Sequence, residues 1–171
     1  MSGHLRIIVG ITGASGSIYG WRLLEKLRAQ PAVETHLVMS RSGERTAFLE
    51  MGKPAADFKA LAHFHYPVED IGCRLASGSS AMDAMVVAPC SIHTMSAIAH
   101  GISSNLIVRA ADVTLKERRR LVLLHRMADH TAGQLRLGNL GGEPHQTCHR
   151  ISGPGHKGRY RPAGSGDRLP G

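Results

Sequence analysis

The sequence predicts an α/β protein with a parallel sheet. Short β-branched runs, each ending at a glycine, serine or proline, alternate with segments in which apolar residues recur at helical spacing. Only 4% of the 171 residues are aromatic, so the predicted core is aliphatic and rich in alanine. The length suits one ordinary domain.

The elements follow one another in the order that this fold class requires. Buried strands are predicted at residues 5–11, 33–39, 84–88 and 121–124, because these runs are short, apolar and rich in β-branched residues. Helices are predicted at residues 18–27, 41–51, 55–63 and 91–100, with a loop at residues 76–80 inside an otherwise mixed stretch.

The last part of the chain has a different composition. Residues 141–171 hold eight glycines and four prolines, and Ile151 and Leu169 are their only Ile, Leu, Val, Met or Phe residues. Such a segment cannot offset the entropy of ordering by burial. We therefore expect a domain over residues 1–126, extending at most to about residue 140, followed by a disordered tail at 141–171.

Charge, cysteine content and hydropathy exclude several classes of protein. Residues 1–115 carry 10 basic and 9 acidic side chains, so the main body offers no large surface for nucleic acid. Three cysteines without a CxxC motif indicate neither a disulfide framework nor a zinc ribbon, and no metal is expected. No apolar run approaches the roughly 20 residues of a membrane span, and the predicted location is the cytosol.

The stretch GITGASG, at residues 10–16, joins the first strand to the first helix. Its glycines allow a tight turn, after which the amides of Ala14, Ser15 and Gly16 face outward at a helix amino terminus, where an anion is favoured. The P-loop Lys-Ser/Thr pair is missing, and Ser40 follows the second strand where a dinucleotide fold has an acidic residue. The pattern favours a mononucleotide phosphate or a flavin over NAD, and a purely structural turn is the alternative.

Polar residues also follow the other strands. Ser40 and the stretch Ser91-Ile92-His93-Thr94 come at strand ends, where ligands of doubly wound sheets bind, although Ser91 could equally cap a helix. Cys90 is interpreted as a packed small side chain rather than a nucleophile.

Cations cluster near residues 109–126. Arg109 and Lys116 lie seven residues apart and would share one face of a helix, and Arg126 follows a strand. Three cations that converge there would suit a phosphorylated substrate. The alternative is that residues 116–120 form a solvated surface that attracts RNA.

Five motifs in order carry a family resemblance: IVGITGASG at 8–16, ETHLVMS at 34–40, ASGS at 76–79, VAPCSIHT at 87–94 and RAADVTLKERR at 109–119. Over about residues 5–126 the chain resembles the UbiX/Pad-type flavin prenyltransferases, formerly described as aromatic-acid decarboxylases. The resemblance implies a flavodoxin-like, three-layer Rossmann sandwich that assembles as a homododecamer with sites at subunit junctions. It also implies metal-independent transfer of a dimethylallyl group from dimethylallyl phosphate to N5 of reduced FMN, with ring closure at C6. The prenylated FMN would serve a partner decarboxylase of ubiquinone or phenolic-acid metabolism.

The resemblance also implies roles for individual residues. Glu50, near the flavin N5, and Ser15 are expected to be catalytic, and Arg109 and Lys116 to hold the substrate phosphate. The expected FMN contacts are Gly13, Ala14, Ser15, Ser40, Ser91, Ile92, His93, Thr94 and Arg126.

The resemblance stops after Arg126. Family members continue there with a glutamate and, later, a Pro-Pro-x-Pro-x-Phe-Tyr segment, whereas this chain continues with Met127 and has no such segment. The switch to Gly-, Pro-, Arg- and His-rich sequence suggests a frameshift, and we expect an impaired enzyme. The alternatives are an FMN-binding protein without transferase activity, an RNA-associated basic protein and a related flavin-dependent cysteine decarboxylase.

Overall fold

A computed structural model of the chain describes residues 4–125 and the backbone of residues 147–151. The first strand lies at the centre of one sheet in which five strands run parallel and a sixth pairs antiparallel at the edge. The strands are β1 (Leu5–Ile11), β2 (Val33–Met39), β3 (Phe64–Tyr66), β4 (Ala84–Val87), β5 (Arg120–His125) and β6 (Thr147–Ile151), in the spatial order β3-β2-β1-β4-β5-β6.

Helices connect the parallel strands, and several begin at a side chain that caps them. Ser40, Ser91 and Asn105 each accept a hydrogen bond from a backbone N–H of the first helical turn that follows. The helices are α1 (Ser17–Arg28), α2 (Arg41–Met51), α3 (Ala55–Leu61), α4 (Ile92–Ala99) and α5 (Leu106–Lys116), with a 3₁₀ turn at Arg74–Ala76.

The sheet separates two apolar cores, because successive residues of a strand face opposite sides. On one side Leu37 of β2 packs with Leu24 of α1 and Phe58 of α3. On the other side Met85 of β4 packs with Ile107 of α5. The result is the expected α/β sandwich of three layers with a parallel sheet.

Two strands differ from the sequence-based expectation. Strand β3 lies in the stretch interpreted as mixed, because its three residues are too few for a periodic signal. Strand β6 lies within residues 141–171, for which the composition predicts no regular structure. Its backbone pairs with β5 from Leu121↔Ile151 to His125↔Thr147, and such pairing with a sheet edge requires no apolar side chains. The rest of that segment, and Arg126, lie outside the described residues.

The order of the strands places a crevice between β1 and β4. The chain leaves β1 through α1 toward β2 on one side, and leaves β4 through α4 and α5 toward β5 on the other. Ligands of open α/β sheets bind at such a reversal, outside the carboxyl ends of the strands. The loops that follow β1, β2 and β4 all reach this edge.

Candidate functional site

Hydrogen bonds tie the loops at the carboxyl edge of the sheet to one another. The Thr12 hydroxyl accepts a hydrogen bond from the backbone N–H of Ser91 at 2.7 Å and donates one to the carbonyl oxygen of Pro89 at 2.9 Å. The backbone N–H of Ser40 donates to the carbonyl oxygen of Ile11 at 3.0 Å. The glycine turn, Ser40 and the Ser91–Thr94 turn therefore form one cluster, as the sequence predicts.

Two positions of the glycine turn favour glycine, one for lack of space and one for its backbone conformation. A Cβ atom on Gly13 would lie 2.6 Å from the Cβ of Ser42 in α2, a distance that real Cβ atoms do not show. Gly16 has a φ of 103°, in the left-handed region that favours glycine. The turn thus brings the backbone of residues 12–16 close to the start of α2.

Glu50, near the end of α2, binds the amino terminus of α1. Its carboxylate accepts hydrogen bonds from the backbone N–H of Ser17 at 2.9 Å and of Gly16 at 3.1 Å. The outward-facing amide predicted for Gly16 is therefore engaged by the protein itself, since a carboxylate is a favoured partner for a helix amino terminus. Ala14 and Ser15 remain as the predicted amides beside this contact.

The same contact keeps Glu50 ionised. Burial by itself raises the pKa of Glu50, but the hydrogen bonds from the amides of Ser17 and Gly16, helped by the Ser15 hydroxyl, hold the pKa below its ordinary value. Glu50 and Ser15, the two predicted catalytic residues, thus lie together beside the glycine turn.

The two predicted loop serines both cap helices. The Ser40 hydroxyl accepts from the Gly43 N–H at 3.0 Å, and the Ser91 hydroxyl accepts from the Thr94 N–H at 3.2 Å while it donates to the Thr94 hydroxyl at 3.0 Å. Both serines are half-buried, so capping and contact with a ligand are compatible. Ile92 and His93, between Ser91 and Thr94, are exposed at the same edge.

Cys90 is not a nucleophile in this arrangement. Its side chain is fully buried, and burial raises the pKa of its thiol to about 12. The thiolate that would attack an electrophile is therefore absent at neutral pH. The interpretation of Cys90 as a packed small side chain is confirmed.

A buried polar residue beside the site that the sequence did not indicate is His125, the last residue of β5. Its Nδ1 lies 3.0 Å from the carbonyl oxygen of Cys90, and the backbone N–H of Cys90 donates to the carbonyl oxygen of Leu124 at 2.7 Å. The end of β5 thus holds the turn that carries Ser91. In the sequence, the one indication of this position is that His125 directly precedes Arg126, a predicted FMN contact.

The predicted cations are not brought together within one protomer. Arg109, in the second turn of α5, is half-buried and binds Asp112 at 3.0 Å. Lys116 is exposed at the other end of α5, near Arg120, which pairs with the first residue of β4. Lys116 therefore lies toward the amino edge of the sheet, because α5 runs antiparallel to the strands. Within one protomer it does not converge with Arg109, and its predicted contact with the substrate phosphate stays a prediction. Arg126 lies outside the described residues.

The basic residues within 116–120, which the RNA-binding alternative requires, are also only partly available to a ligand. The Arg119 guanidinium donates to the carbonyl oxygen of Gly78 at 2.9 Å, and Arg118 adopts a φ of 56° in the turn before β5. This turn fixes the start of β5 at the amino edge of the sheet. Arg119 is thus engaged in the fold rather than available to a phosphate.

The described residues contain a cavity of about 300 Å³ next to this cluster, where Met39 and Arg41, on either side of Ser40, are among its lining residues. It lies between α2, α3 and β3, and two ion pairs, Arg41–Glu69 and Lys59–Glu44, border it. None of the predicted site residues lines it.

Residues 4–125 include no group of three His, Cys, Asp or Glu side chains placed to hold a metal. Across the same range, no helix is both long and apolar enough to cross a membrane.

Comparison with known proteins agrees with this geometry. The family model described as "Flavoprotein" matches residues 1–134. The chain is 50% identical over 133 residues to the flavin prenyltransferase UbiX of Thauera aromatica, which covers 78% of this chain and 68% of that protein. It is 48% identical over 132 residues to the flavin prenyltransferase UbiX of Escherichia coli (strain K12), covering 77% of this chain and 70% of the relative.

Solved structures share the fold. A crystal structure of AnUbiX (PadA1) in complex with FMN and dimethylallyl pyrophosphate superposes with a TM-score of 0.72 at 44% identity, covering 74% of this chain and 66% of that one. A dodecameric FMN-dependent UbiX-like decarboxylase from Escherichia coli O157:H7 also gives a TM-score of 0.72, at 46% identity and with 73% and 68% coverage. The chain thus spans about two thirds of the length of these relatives.

More distant structures show the fold alone. The FMN-dependent cysteine decarboxylase TvaF superposes with a TM-score of 0.61 at 16% identity, covering 77% of this chain and 79% of the other. The much higher identity to the UbiX proteins distinguishes the two groups. The chain therefore belongs to the flavoprotein family, among the UbiX-type flavin prenyltransferases.

Proposed function

We propose that the chain transfers a dimethylallyl group from dimethylallyl phosphate to reduced FMN, and that the prenylated FMN serves a partner decarboxylase. One observation carries the proposal. The glycine turn, Ser40 and the Ser91–Thr94 turn meet at the reversal of the strand order, in a chain about half identical to named flavin prenyltransferases.

The residues at this edge fit a flavin mononucleotide. The glycine turn packs directly against the start of α2, because a Cβ atom on Gly13 would collide with Ser42, and the amides of Ala14 and Ser15 would bind the phosphate beside it. Half-buried hydroxyls of Ser40 and Ser91 follow two different strands. The buried Nε2 atom of His125 has no hydrogen-bond partner in the described part of the chain. Amide, hydroxyl and imidazole groups suit the polar atoms of a flavin and its phosphate.

Bound FMN would supply, in its reduced form, a nucleophilic ring nitrogen. The protein's own part is to bind and orient the reactants and to move protons. Glu50 carries a negative charge at neutral pH and can accept a proton beside the glycine turn, with Ser15 as its neighbour. Arg109 and, from outside the described residues, Arg126 would neutralise the departing phosphate.

Assembly into a homododecamer belongs to the same proposal. Phe48 and Leu49 of α2 are 58% and 74% exposed, directly before Glu50. Large apolar side chains that lie together on a surface indicate an interface with another chain. An interface here would bring a second subunit next to the catalytic carboxylate.

The decisive experiment incubates the purified chain with anaerobically reduced FMN and either dimethylallyl phosphate or dimethylallyl pyrophosphate. Mass spectrometry of the released flavin should show the added prenyl group, and the Glu50→Gln variant should lower the rate at least about 100-fold. The monophosphate should be the better donor.

Two outcomes would contradict the proposal. Bound but unmodified FMN would support the FMN-binding alternative, and copurified nucleic acid without flavin would support the RNA-associated one. The relatives support neither alternative, nor the impairment expected from the sequence after Arg126. A chimera with residues 127–171 replaced by the corresponding part of the Thauera aromatica relative provides the matched control. If the chimera transfers the prenyl group and the unmodified chain does not, this chain is impaired.

A further inference from the structure

On the core-facing side of β5, two leucines are followed by the polar side chain of His125, the last residue of the strand. Leu121 and Leu123, four and two residues earlier on the same face, are fully buried in the core beside α5, and His125 is 5% exposed. Buried polar groups in folded proteins are normally hydrogen-bonded. An imidazole at this position therefore needs two partners.

One ring nitrogen has its partner within the described chain. Nδ1 lies 3.0 Å from the carbonyl oxygen of Cys90, and because a carbonyl oxygen only accepts, Nδ1 carries the hydrogen and donates. In the neutral ring, Nε2 is then an unprotonated acceptor. Nε2 is buried, and no donor in residues 4–125 reaches it.

This unpartnered acceptor belongs to the candidate site by its position. Cys90, which His125 holds, directly precedes Ser91, and the backbone of Ser91 donates to Thr12 at the glycine turn. The imidazole therefore lies at the carboxyl edge of β5, against the turn that carries the predicted FMN contacts. Strand ends at this edge are where a ligand of the fold approaches.

We propose that His125 recognises the flavin directly: Nδ1–H holds the Cys90 carbonyl, and Nε2 accepts a hydrogen bond from an O–H or N–H donor of bound FMN. The inference rests on the proposed function and adds a contact that the family resemblance does not include. FMN carries such donors in the hydroxyls of its ribityl chain and in the N–H of its ring system.

The test measures FMN binding by fluorescence titration of the full chain and of the His125→Asn variant. The asparagine amide nitrogen is bonded to Cγ, as Nδ1 is, so this variant can keep the hydrogen bond to Cys90 while it lacks Nε2. FMN binding should weaken about 3- to 10-fold, the effect of one hydrogen bond. His100→Asn is the matched control, because the exposed His100 also contacts a backbone carbonyl through Nδ1, at 2.8 Å from Ser96.

Lumiflavin, which lacks the ribityl hydroxyls and the phosphate, distinguishes the two possible donors. If a ribityl hydroxyl donates, His125→Asn leaves lumiflavin binding unchanged; if the ring N–H donates, both ligands weaken by the same factor. Equal binding of FMN and lumiflavin to the variant and to the unmodified chain would overturn the inference.

A second measurement tests the inference on the unmodified chain, in case the His125→Asn variant does not fold. With ¹⁵N-labelled histidine in the unmodified chain, the Nε2 resonance of His125 should shift when FMN is added, and an unchanged resonance in the flavin-bound protein would also overturn the inference. If the unmodified chain bound no FMN, the proposed function would fail and this inference with it.

Discussion

The carboxylate of Glu50 lies 2.9 Å from the backbone nitrogen of Ser17, so a side chain of α2 caps the amino terminus of α1. The same carboxylate is the predicted proton acceptor of the reaction. One residue thus contributes both to the stability of the fold and to the proposed chemistry, and variants can separate the two contributions.

Replacing Glu50 by alanine removes the cap and the charge, whereas glutamine keeps an oxygen that can accept from the Ser17 amide. We expect Glu50→Ala to lower the free energy of unfolding by about 1 kcal/mol, as loss of a helix cap does, and Glu50→Gln to lower it by less. Both variants should lose prenyl transfer. Urea unfolding and the mass assay measure the two effects, and Glu44→Ala, which affects a partly exposed ion pair with Lys59, is the control. Full transfer by Glu50→Gln would exclude a role for the charge.

Gly13 tests whether the turn must approach α2 closely. Gly13→Ala places a Cβ atom 2.6 Å from the Cβ of Ser42, so the turn must move, and FMN binding should weaken at least about tenfold. Removing the opposing side chain in the double variant Gly13→Ala/Ser42→Gly should recover part of that loss. Fluorescence titration of FMN against the single and double variants gives the comparison. Wild-type affinity in Gly13→Ala would show that the turn is not part of the site.

His36 should make the fold sensitive to mild acid. Its side chain is fully buried, with Nε2 2.8 Å from Glu34 and Nδ1 3.0 Å from the hydroxyl of Tyr66. Burial lowers the pKa of His36, as do the nearby charges of Arg74 and Arg6, and the Glu34 carboxylate offsets only part of this. Because the unfolded chain binds the proton more readily, the stability that neutral His36 contributes is present above pH 6.5 and is lost as the pH falls below it.

Urea unfolding at pH 7.5 and at pH 5.5 measures this effect. The unmodified chain should be less stable at the lower pH, and His36→Gln should show a smaller difference between the two values. The pKa of Glu34 is also lowered, although burial alone would raise it, because His36 and the charge of Arg6 stabilise its carboxylate. Its contribution is lost only as the pH falls below 4.5, which is outside the measured interval. An unchanged pH dependence in His36→Gln would contradict the assignment, and the exposed His65→Gln is the control.

The thiol of Cys90 should be inert in the folded chain. Because burial raises its pKa to about 12, almost no thiolate is present at pH 8. In the double variant Cys73→Ser/Cys148→Ser, which leaves Cys90 as the single cysteine, a thiol reagent such as DTNB should react only after denaturant is added. Rapid reaction of the native protein at pH 8 would show that the side chain is reachable and ionised.

Local patterns in the sequence account for strands β1, β2, β4 and β5 and for helices α1 to α4. Alternating strands and helices, the caps at Ser40 and Ser91, and the glycine turn each depend on periodicity or on bonds between residues a few positions apart. Such patterns can be recognised in a short stretch of sequence without knowledge of the rest of the chain. Strand β3 is not predicted from the sequence, because a strand of three residues is too short for its periodicity to be recognised.

The tertiary structure alone decided how distant residues meet. The carboxylate of Glu50 reaches Ser17 across 33 positions, and His125 reaches Cys90 across 35. Arg109 and Lys116 share helix α5, as their spacing predicts, but α5 runs antiparallel to the strands, so within one protomer Lys116 lies at the opposite edge of the sheet. By itself the sequence determined the fold class, the family and the loops of the site. Contacts across the site depended on strand order and helix direction, which fix positions that local periodicity does not contain.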